Sequence, residues 1–255
     1  MGSMTRLMGA VADNDSLEMF PIPYTGVQGA KLVTETRRSL ALSRDISGNL
    51  VPVTLQGAPA FFDGYVRGGG GSAANYKWLK AAYIPAANET RTMCVAARFV
   101  TAATGNAFAF SDYAPVSGGN SGCALFIDST NGWRAQVTLT NGSTLSSAFP
   151  SVLPNLPAMD KTAWHFAVLI VDAVNRKAIF KLPALGYSTE VTWTAEKTVS
   201  TGAGELRIAG TTSASADSAD VAFATYHARV LTDNEVLQQY YAAKAYCDAV
   251  DISLV

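Results

Sequence analysis

Beyond residue 50 the apolar residues fall in short runs, some alternating and some continuous, separated by Gly, Pro, Asn and Asp. Residues 51–56 alternate, and 60–67 form an apolar run that ends in a loop of glycines, 68–71. Residues 91–101 carry Met93, Val95, Ala97 and Phe99 on one face and Cys94, Ala96 and Val100 on the other. A strand that is apolar on both faces belongs inside a layered β protein. Further strands are predicted at 107–110, 122–128 and 133–140. The last two are joined by Asn131-Gly132, a pair that reaches positive φ at low cost and suits a type I′ hairpin turn. A proline-rich loop at 150–157 precedes a hairpin from 164–172 and 176–182, then strands at 189–193, 205–209 and from 221 onward. This spacing predicts a β-sandwich or barrel.

One helix is marked late in the chain. Thr232-Asp233-Asn234-Glu235 is a capping box, with Val236, Leu237, Tyr240 and Tyr241 expected to pack on the sandwich. Residues 248–255 read as a returning strand. Before residue 50 the pattern changes: Phe20-Pro21-Ile22-Pro23-Tyr24 cannot be helix interior, and 31–43 supplies one or two strands at most. The chain divides into a tag remnant at 1–3, an extended N-terminal arm at 4–50 and a sandwich at 51–255.

Composition narrows the partners. Of 255 residues, 15% are charged, below the roughly 25% usual for soluble domains, so Ser, Thr, Asn and Gly carry much of the polar surface. A net charge of −1 argues against nucleic acid, and the basic cluster Arg37, Arg38 and Arg44 reads as a solvated or assembly-facing strand. No apolar run is long enough to span a bilayer, and no signal peptide is recognisable at the N-terminus. Cys94, Cys123 and Cys247 show no zinc or disulfide spacing and read as buried free thiols.

Five segments in order carry a resemblance: Phe62-Asp63-Gly64, the strand from Met93 to Val100, Trp164-His165-Phe166-Ala167-Val168 with its partner from Ala178 to Leu182, Leu206-Arg207-Ile208-Ala209-Gly210, and Arg229-Val230-Leu231-Thr232-Asp233-Asn234-Glu235. Over residues 60–245 the chain resembles the concanavalin A-like lectin/glucanase superfamily, in its laminin-G-like branch. The resemblance implies an all-β fold: a two-sheet antiparallel jelly-roll sandwich with one short C-terminal helix. That family includes sugar binders, glycan-cleaving enzymes and assembly modules, so it does not choose among them. The Ala/Ser/Thr/Gly-rich texture and the arm resemble bacteriophage virion proteins of the tail or capsid.

Candidate chemistry is sparse. The glucanase branch needs a strand with carboxylates on one face, and Glu190 and Glu196 have opposite parity with no Asp between them. Gly119-Asn120-Ser121-Gly122 lacks the surroundings of a nucleophilic serine, and His165 and His227 both follow it. Sugar binding needs a flat ring and planar polar groups. These are densest at Asp112, Tyr113, Asn120, Asp128, Asn131, Trp133 and Arg134, the candidate ligand-binding set. No cofactor is expected, although Asp112 and Asp128 could help hold calcium. The expectation is a non-enzymatic virion module, assembled in the host cytoplasm, that binds host surface glycan or other virion proteins. The arm is a possible homo-oligomer contact. The alternatives are a purely structural assembly or decoration protein, and a glycan-cleaving enzyme with an atypical site.

Overall fold

The computed structural model describes residues 25–41, 43–70, 76–100, 105–116, 119–200, 204–212 and 216–255, with 70, 115, 116, 119, 120 and 216 as backbone only. In chain order the first strands are β1 (Leu32–Glu35), β2 (Val53–Gln56), β3 (Ala60–Phe62), β4 (Tyr65–Gly70), β5 (Trp78–Ala81) and β6 (Arg91–Phe99). Then come β7 (Asn106–Ser111), β8 (Ala114–Val116), β9 (Gly119–Ser121), β10 (Cys123–Asp128), β11 (Gly132–Thr140) and β12 (Leu145–Ser147). The last are β13 (His165–Asp172), β14 (Lys177–Leu182), β15 (Tyr187–Thr192), β16 (Thr198–Val199), β17 (Leu206–Ile208) and β18 (Ala216–His227), before helix α1 (Asp233–Ala249).

Apart from β8 and β9, which pair with each other, these strands make two antiparallel sheets packed face to face. The back sheet runs β18-β6-β13-β14-β15, with β4 and β1 sharing the outer edge of β18 and β3 beyond β4. The front sheet runs β11-β10-β7-β17-β5-β2, with β12 and β16 also on β11. A parallel pairing, Ala216 with Asn106, and an antiparallel bridge, Gly69 with Lys77, join the two. The expected all-β jelly-roll sandwich with one C-terminal helix is what forms.

The two-faced character of β6 has a direct structural cause. Met93, Val95, Ala97 and Phe99 enter the core between the sheets with Leu125, Ile127, Trp133 and Val137. Cys94 and Ala96 face outward into a second core with Phe166, Val168, Ile170 and Phe223, covered by α1 and by Val27, Ala30 and Val33. Burying each such large apolar side chain contributes about 1.5–3 kcal/mol, so both layers are well anchored. All three cysteines are buried and free, and burial pushes each thiol up to about 12.

Several expectations are revised. From residue 25 onward the segment read as an arm is bound into the sandwich. β1 pairs with β18 from Leu32–Tyr226 to Glu35–Phe223. The Asp45 carboxylate accepts from the Val33, Ser47 and Val51 amides, each at 2.9 Å, and folds the following turn onto that strand. Residues 1–24 lie outside the described residues, as does Gly71 of the glycine run. Gly68 to Gly70 continue β4 against β18 rather than forming a loop. A Cβ at Gly68 would meet the Ala209 carbonyl oxygen at 2.1 Å, which is why a small residue is needed there. Of residues 248–255, the first two end α1 and the rest return as a single parallel bridge, Trp164 with Leu254, and not as a strand.

The helix is capped as read, with the Thr232 hydroxyl and the Glu235 carboxylate each bonded to the other's amide. Its buried stripe is in part the expected one, since Val236 and Tyr240 pack on the second core, and in part different. Val236, Gln239, Ala243 and Tyr246 face the sheet, while Leu237 and Tyr241 are 43% and 63% exposed. The outer face of the back sheet offers His227 as a polar partner, and Gln239 Nε2 meets its Nε2 at 2.6 Å. The buried side also carries Ala242 and Cys247, so the helix docks by an apolar face in which Gln239 is the polar member.

Candidate functional site

Strand parity divides the seven candidate residues. Trp133 pairs with Ile127 on β10 and shares the inward face of β11 with Ala135, Val137 and Leu139. It is fully buried, and its indole nitrogen meets no acceptor among the described residues. Asp112, just after β7, is also fully buried. Its carboxylate accepts from Arg91 Nη1 at 2.8 Å and from the Cys123 amide at 2.5 Å. Burial raises the Asp112 carboxyl and the Arg91 guanidinium opposes that rise. Neither residue can touch a ligand, so their assignment to the binding set is corrected: one is core and the other half of an internal ion pair.

The residues of opposite parity come together outside. Tyr113 stacks on Phe108 at 5.7 Å, Phe108 on Phe126 at 5.0 Å, and the Arg134 guanidinium lies 5.1 Å from the Phe126 ring centre. A ladder of three rings and one cation thus crosses the outer face of the front sheet. Arg134 also reaches Asp128 at 3.4 Å. Asp128 accepts from the Thr130 and Asn131 amides at 2.8 and 2.7 Å and from Asn131 Nδ2 at 3.1 Å. Burial alone would raise the Asp128 carboxyl; these amides and Arg134 outweigh it and hold the group below its usual range. Asp128, Asn131 and Arg134 therefore form one cluster at the β10–β11 turn, and Tyr113 stands at the far end of the ladder. The Asn120 side chain lies outside the described residues.

A shared calcium site on Asp112 and Asp128 does not assemble. The Asp112 partner Cys123 and Asp128 are at opposite ends of β10, about 16 Å apart at strand rise. Among the described residues no group of three or more His, Cys, Asp or Glu side chains converges. His165 is buried with its Nε2 2.8 Å from the Asp160 carbonyl, and His227 is buried under α1.

Beside the Asp128 cluster opens a groove of about 410 Å³, between the Thr130–Gly132 turn and the loop over 152–161. Leu156, Pro157 and Met159 form its apolar part; Thr130, Asn131, Asn155 and Lys161 supply polar groups. The loop is tied to rigid strands. The Phe99 amide donates to the Lys161 carbonyl at 2.9 Å, the Lys161 ammonium donates to the Ser129 carbonyl, and the Tyr187 hydroxyl donates to the Pro154 carbonyl at 2.8 Å. Sequence reasoning reached one wall, Asn131, and missed the other. A loop has no periodicity to betray which strand end it crosses; the only local signal was polar Asn155 and Lys161 among prolines.

The fold is thus a two-sheet antiparallel jelly-roll sandwich with a loop-built groove at one rim. No protein-family model matches the chain, and no curated protein matches it in sequence. Solved structures share the fold. A Trypanosoma rangeli sialidase in complex with sialic acid superposes with a TM-score of 0.60 at 12% identity, over 87% of this chain and 34% of its own. A mutant of that sialidase displaying trans-sialidase activity gives 0.57 at 13% identity, over 86% and 33%. A protein described as HCR/D-Sa-GBL1/C gives 0.58 at 11%, over 82% and 51%. The chain thus spans about half of one of these proteins and a third of the others, and the likeness shows the fold alone.

The expectation of a non-enzymatic chain is corrected by the same finding. It rested on a missing glucanase carboxylate strand and a missing triad. Sialidases stand among the proteins that contain this sandwich, so those absences do not set the chain apart from enzymes.

Proposed function

We propose that the chain is a carbohydrate-recognition module and that the rim groove is its binding site. The observation that carries this reading is the groove's make-up: an apolar patch of Leu156, Pro157 and Met159 beside the amides of Asn131 and Asn155 and the ammonium of Lys161. A sugar ring presents one apolar CH face and a fringe of hydroxyls, and planar amides both donate to and accept from hydroxyls. At about 410 Å³ the groove falls in the size range of small-molecule sites. Asn131 is held by Asp128, so its orientation is set before ligand arrives.

We further propose display on a virion-type particle, with host surface glycan as partner. The Ala/Ser/Thr/Gly-rich texture supports that setting. Weak single sites suffice there, because joining sites gains about 10²- to 10⁴-fold in avidity. The test is a glycan array probed with the wild-type chain and with Asn131→Ala and Lys161→Ala. Binding to a defined glycan set, lost in both variants while thermal unfolding is unchanged, is the expected result. Absence of binding to every glycan, or equal binding by all three proteins, overturns the reading.

A further inference from the structure

Helix α1 and the N-terminal segment cover one part of the outer face of the back sheet. Elsewhere on that face the register sets three charged residues side by side. Arg67 on β4 pairs with Asp220 on β18, and Asp220 pairs with Arg98 on β6. Asp220 is fully buried and accepts from Arg67 Nε and Nη2 at 2.7 and 2.9 Å and from Arg98 Nε at 2.9 Å. One carboxylate thus faces two guanidiniums, which leaves one positive charge in excess. The two arginine side chains remain 35% and 31% exposed. Aromatic rings fix their planes: Arg67 lies 5.1 Å from the Phe62 ring centre, and Arg98 lies 5.3 and 4.9 Å from those of Tyr65 and Trp164. Beside Arg67 opens a cavity of about 220 Å³ that also takes in exposed Lys77 and Ser218, with no carboxylate in its described lining. Lys77 makes no salt bridge with a described residue.

A guanidinium held rigid by a buried carboxylate and a ring, with donors left over, is preorganised to donate to an oxyanion. We propose that the Arg67–Asp220–Arg98 row and the Lys77 cavity form an oxyanion site for the carboxylate or sulfate of an acidic saccharide. The saccharide part rests on the carbohydrate reading above; the oxyanion part does not.

Calorimetric titration of the full chain with four probes tests it: a uronate oligosaccharide, a sulfated one, the neutral oligosaccharide of equal length, and sodium sulfate. Each is run on wild type, Lys77→Ala and Arg98→Gln. Lys77 is exposed, so its variant keeps the fold, and Arg98→Gln leaves Asp220 paired with Arg67. The expected result is tighter binding of one acidic oligosaccharide than of the neutral one. Lys77→Ala should weaken it up to about fivefold, the worth of one exposed ion pair, and Arg98→Gln by more than about tenfold. Uronate against sulfate preference identifies the anion. Neutral and acidic probes binding alike in all three proteins would overturn this site and leave the carbohydrate reading standing. Sulfate ion binding with the same variant losses, but no saccharide binding, would keep the oxyanion site and overturn its saccharide ligand. No charge-dependent binding of any probe overturns the whole inference.

Discussion

Two residues chosen for ligand chemistry, Asp112 and Trp133, are instead held in the interior, and their energetics can be tested as such. Arg91 and Asp112 are both fully buried, 2.8 Å apart. Removing one member of such a pair strands the other charge, which costs about 3–5 kcal/mol. Asp112→Ala is therefore expected to lower the denaturant midpoint sharply, and an unchanged midpoint would contradict the pairing. His227 makes a pH prediction. Burial, with Arg229 adding to it, pushes this imidazole down to about 4 from an ordinary value near 6.5. A depressed histidine stabilises the fold fully above pH 6.5 and loses that contribution as pH falls toward 4. The total is about 3 kcal/mol at 1.36 kcal/mol per unit. Unfolding midpoints measured from pH 7 to 4 should fall for the wild type and flatten over that window in His227→Gln.

Among the elements, α1 was legible at its start and illegible in its rotation. The capping box is a local device, complete within four residues, so sequence sufficed to place it. Glu235 is held down to about 2 by Arg229, which donates to it at 3.0 and 2.6 Å, and by the Thr232 amide. Thr232→Ala should cost about 1 kcal/mol, read by chemical denaturation. Which stripe the helix buries depends on the sheet beneath it, where Gln239 meets His227 and Tyr246 reaches the Thr36 carbonyl. β11 makes the complementary point. Its alternation was visible, but whether Trp133 or Arg134 faced outward depended on where the second sheet lay, and a choice of parity reverses every side chain on a strand.

For the whole molecule, the N-terminal segment is the clearest case of tertiary override. Leu32 to Glu35 showed imperfect alternation because that strand is buried on both faces, between the interior and the second core. Truncation through residue 36 should uncover the edge of β18 and give aggregated protein, whereas truncation through residue 24 should leave the circular dichroism of the remaining chain intact. If both truncations fold equally well, β1 is dispensable and its pairing with β18 adds little.

What the amino-acid sequence determined alone was local: the strand runs, the Asn131-Gly132 turn, the Thr232 cap and the all-β class, since each depends on residues within a few positions of one another. The tertiary structure alone decided the rest. Hydrogen bonds from distant strands carried the 152–161 loop to the β10–β11 turn, and the second sheet turned Trp133 inward. Register across β4, β18 and β6 set two arginines on one buried aspartate. Such pairings join residues from 32 to 153 positions apart, and no periodicity along a chain encodes which distant strand will lie beside it.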